Sequence, residues 1–168
     1  CAIYDDTCTR IVFEDRGASE GRRARLVQRL IEIETYRMMA MLGFPPARQV
    51  MGELQGLEST LRELVERVAA SGHNAEDERD EATLHELLAL ASKIEQLSAV
   101  NAYRFDASRA YFDIVEQRLS ELREERVHGH QRLSNFLQRR IGPAMQTVKA
   151  VSRRLETLSG HINYTASL

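Results

Sequence analysis

The sequence predicts an all-α fold: an elongated antiparallel bundle of four long helices with coiled-coil character, preceded by a short strand-like remnant. Only 9 of the 168 residues are Gly and 3 are Pro, while 29% are charged, which is typical of long helices. Apolar residues recur three and four positions apart over most of the chain. No Gly or Pro interrupts the sequence between Asp80 and Gly129. The predicted domains are a strand-like end over residues 1–18 and a helical bundle over 19–168.

The first sixteen residues have strand character. Ile3-Tyr4 and Ile11-Val12-Phe13 flank the turn-like Asp5-Asp6-Thr7, which predicts a small hairpin. An isolated hairpin is only marginally stable in water, so we expect it to belong to a sheet formed upstream. The chain begins with Cys, and we therefore expect it to be part of a larger protein. The spacing of Cys1 and Cys8 matches no zinc pattern.

A first helix is predicted from about residue 20 to 43, with Ser19 as its N-cap. One apolar stripe contains Leu26, Leu30, Ile33, Ala40 and Phe44, and a second beside it contains Val27, Ile31, Met38 and Leu42. Two adjacent stripes predict a helix that is buried over a wide arc. Gly43 ends this helix, and Pro45 disfavours a helical conformation at Phe44.

A second helix is predicted to begin at Pro46, where the missing N–H costs nothing. Its heptad seam contains Val50, Leu54, Leu57, Leu61, Leu64 and Val68. It ends near Ala70, before a polar loop over 71–80.

A third helix is predicted from Asp80 for about 46 residues, or roughly 69 Å. The apolar positions of its first half are Leu84, Leu87, Leu88, Ala91, Ile94 and Leu97, and those of its second half are Phe105, Phe112, Val115, Leu119 and Leu122. A fourth helix from about 131 carries Leu137, Ile141, Ala144, Val148, Val151, Leu155, Leu158 and Ile162. Pro143 is expected to kink it, because it removes one backbone hydrogen bond.

These lengths predict that the first two helices form a hairpin with its corner at 43–46. The third helix then runs antiparallel to the second and reaches the corner near residue 104, level with the methionines at 38–41. A packed corner is favoured there, and an adaptable binding surface is the alternative. The third helix would continue for about twenty residues with only the fourth as partner, leaving an aromatic stripe half exposed. We therefore predict a homo-oligomer, with contact residues Tyr103, Phe105, Tyr111, Phe112, Met38 and Met41.

Candidate metal ligands are few. Glu125-x-x-His128 has the spacing found in di-iron bundles, but those need two such motifs and two further carboxylates. With His130 these residues are weak metal candidates, and solvated turn residues are the favoured interpretation. No phosphate loop or catalytic constellation appears, so the sequence predicts no enzyme and no cofactor, and it identifies no small-molecule ligand.

The C-terminal region is basic, although the net charge is only −2. Its predicted basic surface contains Arg139, Arg140, Lys149, Arg153 and Arg154. This composition suits an anionic partner or a position near a cytoplasmic membrane surface, and a solvated helical face is the alternative. No nucleic-acid reader motif is present, so no nucleic acid is expected. No apolar run approaches the roughly 20 residues needed to cross a bilayer.

Three strings carry a family resemblance: RLVQRLIEIETYRMMAMLGFPPAR at 25–48, AYRFDASRAYFDIVEQRLSELREER at 102–126 and FLQRRIGPAMQTVKAV at 136–151. Over about residues 10–168 the chain resembles the bacterial "predicted membrane-anchored protein" family, domain of unknown function number thirty-four twenty-two. The resemblance implies a mixed region upstream and a membrane anchor beyond Leu168. It implies no activity and supplies no catalytic residues.

Three functions follow as hypotheses. The first is a non-enzymatic cytoplasmic domain of a bacterial inner-membrane protein that acts by self-association or partner binding. The second is the cytoplasmic stalk of an ion-transporting oligomer, by analogy of layout with magnesium channels of the CorA type. The third is a metal-binding helical-bundle enzyme, which would need Glu125, His128 or a polar cluster around Glu34 and Arg37.

Overall fold

A computed structural model describes residues 2–4, 9–12, 17–70 and 77–165. Within them the elements are β1 Ala2–Tyr4, β2 Thr9–Ile11, α1 Glu20–Met41, α2 Phe44–Ala70, α3 Asp77–Glu121 and α4 Leu133–Thr165. The predicted all-α bundle of four long helices is confirmed. The strands pair antiparallel, with Ile3 opposite Arg10, as the predicted hairpin requires. Its turn at 5–7, Phe13 and the loop at 71–76 lie outside the described residues.

The helices form two compact units. Unit 1 comprises Cys1–Met41 and Ser108–Met145, and unit 2 comprises Leu42–Ala107 and Gln146–Leu168. Unit 1 therefore combines α1 with the last part of α3 and the first part of α4. Unit 2 combines α2 with the first part of α3 and the last part of α4. The predicted division at residues 18 and 19 stays a prediction.

In unit 1, α1 lies antiparallel to the last part of α3. Tyr36 stacks on Tyr111 with ring centroids 5.8 Å apart, and Glu32 pairs with Arg118. The predicted hairpin between the first two helices stays a prediction, because α1 belongs to unit 1 and α2 to unit 2. The last part of α3 was also expected to have only the fourth helix beside it. Since α1 packs there too, Phe112 is buried.

The two apolar stripes of α1 have different environments. Ser19 occupies the predicted N-cap position, since its backbone carbonyl accepts the N–H groups of Arg22 and Arg23 at 2.9 and 3.0 Å. The first stripe is half-buried or buried, and its innermost members are Ile33 and Ala40. The second stripe was expected to be buried as well, and this is wrong. All its members are exposed: Val27, Ile31, Met38 and Leu42.

In unit 2, the seam of α2 is confirmed, with Leu54 and Leu64 fully buried. The helix begins at Phe44 rather than Pro46, and the Ala47 N–H donates to the Gly43 carbonyl at 3.1 Å. The expectation that Phe44 is non-helical is therefore wrong. Prolines are tolerated in this first turn because its N–H groups have no partner within the helix.

The α3 seam follows a different path from the one predicted in its first half. Leu84 and Leu88 are exposed, whereas Leu90 is buried. The buried seam observed in α3 includes two polar residues, Asn101 and Ser108, which occupy positions where the spacing calls for an apolar side chain. Asn101 donates its side-chain N–H to the Leu97 carbonyl at 2.8 Å, which lowers the cost of burying an amide.

As predicted, α3 runs antiparallel to α2 in unit 2. Arg67, late in α2, pairs with Glu86, early in α3, and Glu53 pairs with Lys93 at 3.7 Å. The fourth helix contains all eight predicted apolar positions in its buried set and remains helical through Pro143. The kink expected at Pro143 stays a prediction.

Candidate functional site

The C-terminus of α3 is held by a side chain from α1. The helix was expected to continue toward Gly129, but it ends at Glu121. Arg29 donates to the Glu121 carbonyl at 3.1 Å and also lies 3.5 Å from its carboxylate. A cation at this end binds a backbone carbonyl that has no partner within the helix. Its positive charge also interacts favourably with the negative end of the helix dipole. Arg123 follows with a positive φ of 49°, so the chain turns away from the helix there.

Beside this helix end lies a short ionic network between α1 and α3. Arg118 donates to Glu32 at 2.7 Å and to Glu121 at 3.0 Å. Hydrogen bonds from Gln28 and then Arg118 lower the pKa of the Glu32 carboxyl. The charge of Glu121, followed by the hydrogen bond to Glu32, raises the pKa of Arg118. The network fixes the register of α1 against α3.

The N-terminus of α4 is capped by a carboxylate from the preceding turn. Glu124 accepts the backbone N–H of Leu133 at 2.8 Å and that of Ser134 at 3.0 Å. Two of the unpaired donors of the first helical turn are thereby satisfied, and a negative charge lies at the positive end of the helix. The turn reverses through Gly129, whose φ of +80° is readily adopted only by glycine.

These elements surround a cavity of about 550 Å³ in unit 1, here called the end cavity. Fourteen of the described residues line it, and ten of these are apolar, including Leu26, Leu30, Val127, Phe136 and Leu137. The four polar ones are Glu34, Glu124, His130 and Gln131. Glu34 is itself bound by Arg37, whose Nε donates to it at 2.8 Å.

A second feature of unit 1 is an exposed face of α1, here called the α1 stripe. It consists of Ala24, Val27, Ile31, Thr35 and Met38, all exposed. At 3.6 residues per turn these five side chains lie within an arc of about 80°. No charged residue between positions 24 and 38 falls in that arc. An exposed helix face without charge over four turns is unusual for a solvated surface.

Unit 2 has a more open depression between α2 and α4, of about 800 Å³. Its apolar members include Leu61, Val65 and Leu158, and Arg62, Glu66 and Arg153 also line it. Arg154 donates from α4 to Glu58 of α2 at 2.9 and 2.6 Å, and this hydrogen bonding raises the pKa of Arg154. Charged groups of both signs thus lie among the apolar ones.

A family described as "Protein of unknown function (DUF3422)" matches residues 1–168. The chain belongs to this family. No curated protein and no solved structure matches it.

The description of the DUF3422 family names no functional residues. The exposure of each side chain therefore decides which predicted contact residues are accessible. Phe105 and Phe112 are buried at 1% and 8% exposure, which corrects the expectation of an exposed aromatic stripe. Both occupy the α3 seam, where the packed helices exclude solvent. Tyr111 and Met41 are half-buried, whereas Met38 and Tyr103 are exposed at 60% and 86%. Met38 is the predicted contact residue that lies in the α1 stripe.

The predicted metal candidates Glu125, His128 and His130 are all exposed in the α3–α4 turn. Within the described ranges, no group of three His, Cys, Asp or Glu side chains is placed to hold a metal ion. Glu124, which the sequence did not single out, is the carboxylate of this turn with a defined structural role. Nothing in the local pattern identifies it, because the N–H groups that it binds lie nine and ten residues later.

The predicted basic surface is partly corrected. Arg139, Arg140, Lys149 and Arg153 are exposed, and Arg140 lies over the Phe136 ring at 5.8 Å. Arg154 does not add a free cation, because its charge is compensated by Glu58 from α2. In the part of the chain that the structure describes, no helix has the length and apolar character needed to span a membrane.

Proposed function

We propose that this chain is a non-enzymatic cytoplasmic domain of a membrane-anchored bacterial protein, and that it acts by binding a second copy of itself. The observation that carries the proposal is the α1 stripe, a coiled-coil-like face that the helices of its own unit leave exposed. The membrane and bacterial parts rest on the family resemblance of the sequence.

Coiled-coil spacing supports pairing through this face. Its members follow one another three or four residues apart. The alternation departs from a strict heptad at one position, where Thr35 takes the place of residue 34. The stripe extends over 15 residues, or about 21 Å of helix. Ile31 and Met38 are 59% and 60% exposed, so both have apolar surface to bury in a contact.

The absence of charge supports a second copy as the partner. In a two-fold dimer the same patch lies on both subunits. A charged patch would then meet its own sign, which is costly, whereas an uncharged apolar patch meets itself without repulsion. The charged neighbours Glu32 and Glu34 are already bound to arginines of the same chain, so they add no unpaired acid to the contact.

The test is the molar mass in solution, measured by light scattering on a sizing column over a range of concentrations. We expect a dimer of the 19.2 kDa chain and expect Ile31→Glu to shift it to monomer at the same concentration, since the new carboxylates would face each other. The matched control is Val100→Glu, an exposed apolar residue of α3 in unit 2 at 73% exposure. The control should dimerise like the parent chain.

A parent chain that is monomeric at every concentration would contradict self-association. Dimerisation that survives Ile31→Glu but is lost in Val100→Glu would place the contact on α3 instead. The anchoring part has a separate test, because the coding sequence after Leu168 should contain two apolar segments.

A further inference from the structure

We propose that the end cavity of unit 1 binds the uncharged alkyl chain of a small lipid. This inference does not depend on self-association, because the cavity and the α1 stripe use different faces of α1. Leu26, Leu30 and Ile33 line the cavity, whereas Val27 and Ile31 belong to the α1 stripe and do not line it.

The size and lining of the cavity suit an apolar ligand. Its volume of about 550 Å³ lies within the roughly 300–1,000 Å³ of pockets that enclose small organic ligands. Aliphatic side chains from α1 and α4, among them Leu30 and Leu137, form much of the wall, and Phe136 adds one aromatic ring. Apolar walls of this kind favour contact with an apolar molecule over contact with water.

The charges around the cavity argue against an ionic ligand. Among the described residues neither Lys nor Arg lines it, so these residues offer no cation to an anionic head group. The two carboxylates of the described lining already have partners: Glu34 is bound by Arg37, and Glu124 is bound by the N–H groups of Leu133 and Ser134. An ammonium group would have to compete with these hydrogen bonds. An uncharged chain disturbs none of them.

The hydrogen bonds of the buried side chains also support an uncharged ligand. In the described part of the chain, no buried side-chain nitrogen or oxygen lacks a hydrogen-bond partner. Ordered water in a cavity normally serves such unpaired groups, and the apolar walls of the end cavity offer it none. The exposed residues His130 and Gln131, which also line it, offer hydrogen-bonding groups to a hydroxyl at the end of the alkyl chain.

The experiment titrates the purified chain with the neutral fluorophore N-phenyl-1-naphthylamine and then displaces it with 1-dodecanol. We expect saturable binding of one probe per chain and full displacement by the alcohol. In Leu30→Trp, the larger ring fills part of the cavity, so affinity should fall by at least about tenfold, the equivalent of 1.4 kcal/mol. Leu30 is half-buried, which leaves room for the ring to enter the cavity.

The matched control is Val65→Trp, which makes a similar enlargement in the depression of unit 2. It should bind the probe like the parent chain. If Leu30→Trp fails to fold by far-ultraviolet circular dichroism, Val127→Glu replaces it, because Val127 lines the cavity but is 60% exposed and tolerates a charge. Its carboxylate should weaken probe binding as well.

Three results would overturn the proposal. The first is a parent chain without saturable binding. The second is binding that Val65→Trp abolishes while Leu30→Trp and Val127→Glu leave it intact, which would move the site to unit 2. The third is bound probe that 1-dodecanol fails to displace.

Discussion

Unit 1 and unit 2 share a plan but differ in the outer face of their first helix. In each unit that helix lies antiparallel to α3 and is tied to it by Arg–Glu pairs, Arg118–Glu32 in unit 1 and Arg67–Glu86 in unit 2. The outer face of α1 is the uncharged α1 stripe. On α2, the exposed apolar residues Met51 and Val65 are separated by Glu58 and Arg62 at the intervening positions of the same face.

This difference shows that apolar content alone does not distinguish core from contact surface. The seam of α2 is a single stripe, and its members are buried or half-buried. The α1 helix has two stripes, and unit 1 buries only one of them. The exposed second stripe is the feature of α1 that has no counterpart on α2, and in the proposed dimer the partner covers it.

The largest expected effect is the difference in the free energy of unfolding between a substitution in the α2 seam and one in the α1 stripe. Leu54→Ala in α2 should lower the free energy of unfolding by about 2–5 kcal/mol, because Leu54 is fully buried and its removal leaves a cavity. Ile31→Ala in α1 should change it by less than about 0.5 kcal/mol in the monomer. Urea unfolding at low protein concentration measures both. Equal losses would mean that Ile31 is a core residue, and the comparison between the units would fail.

A smaller effect is expected at the start of α4 in unit 1. Glu124→Ala removes the acceptor of two backbone N–H groups and should cost about 1 kcal/mol, as other helix caps do. The control is Glu125→Ala, the exposed neighbouring carboxylate, which should have almost no effect. Thermal unfolding followed by circular dichroism compares the two. A loss in Glu125→Ala as large as in Glu124→Ala would indicate a general charge effect and would argue against capping.

The smallest effect is expected at Arg123. This residue has a φ of 49°, which strains a side chain with a Cβ but is open to glycine. Arg123→Gly should therefore stabilise the protein by about 0.5 kcal/mol, despite the greater freedom of glycine in the unfolded chain. Arg126→Gly, a few residues later and with no positive φ, should be neutral or destabilising. The urea midpoint of unfolding is measured for each variant. Equal shifts in Arg123→Gly and Arg126→Gly would contradict the role of backbone strain.

Local pattern was enough to predict most of the fold. The four helices, the start of α1 after Ser19 and the α4 seam follow from composition, capping chemistry and heptad spacing, which act over short distances along the chain. The α3 seam departs from the predicted pattern in two ways. Leu84 and Leu88 have apolar spacing but are exposed, and the buried positions 101 and 108 are occupied by the polar residues Asn101 and Ser108.

The candidate sites were harder to predict because they depend on contacts distant in sequence. Arg29 caps a helix that ends 92 residues later, and Glu124 serves N–H groups in another helix. The apolar periodicity of the sequence carries no information about such pairs. The α1 stripe was visible as a pattern, but whether an apolar face meets its own chain or another one is decided by the packing of all the helices around it.

The distance along the chain between α1 and its ionic partners has a consequence for synthesis on the ribosome. Glu32 and Arg118 are 86 residues apart, whereas Arg67 and Glu86 are separated by only 19. At about 5–20 residues per second, α1 emerges roughly 4–17 s before the part of α3 that covers it. The α2–α3 pairing can begin much sooner. During that interval the face of α1 that α3 covers in the folded chain is exposed together with the α1 stripe.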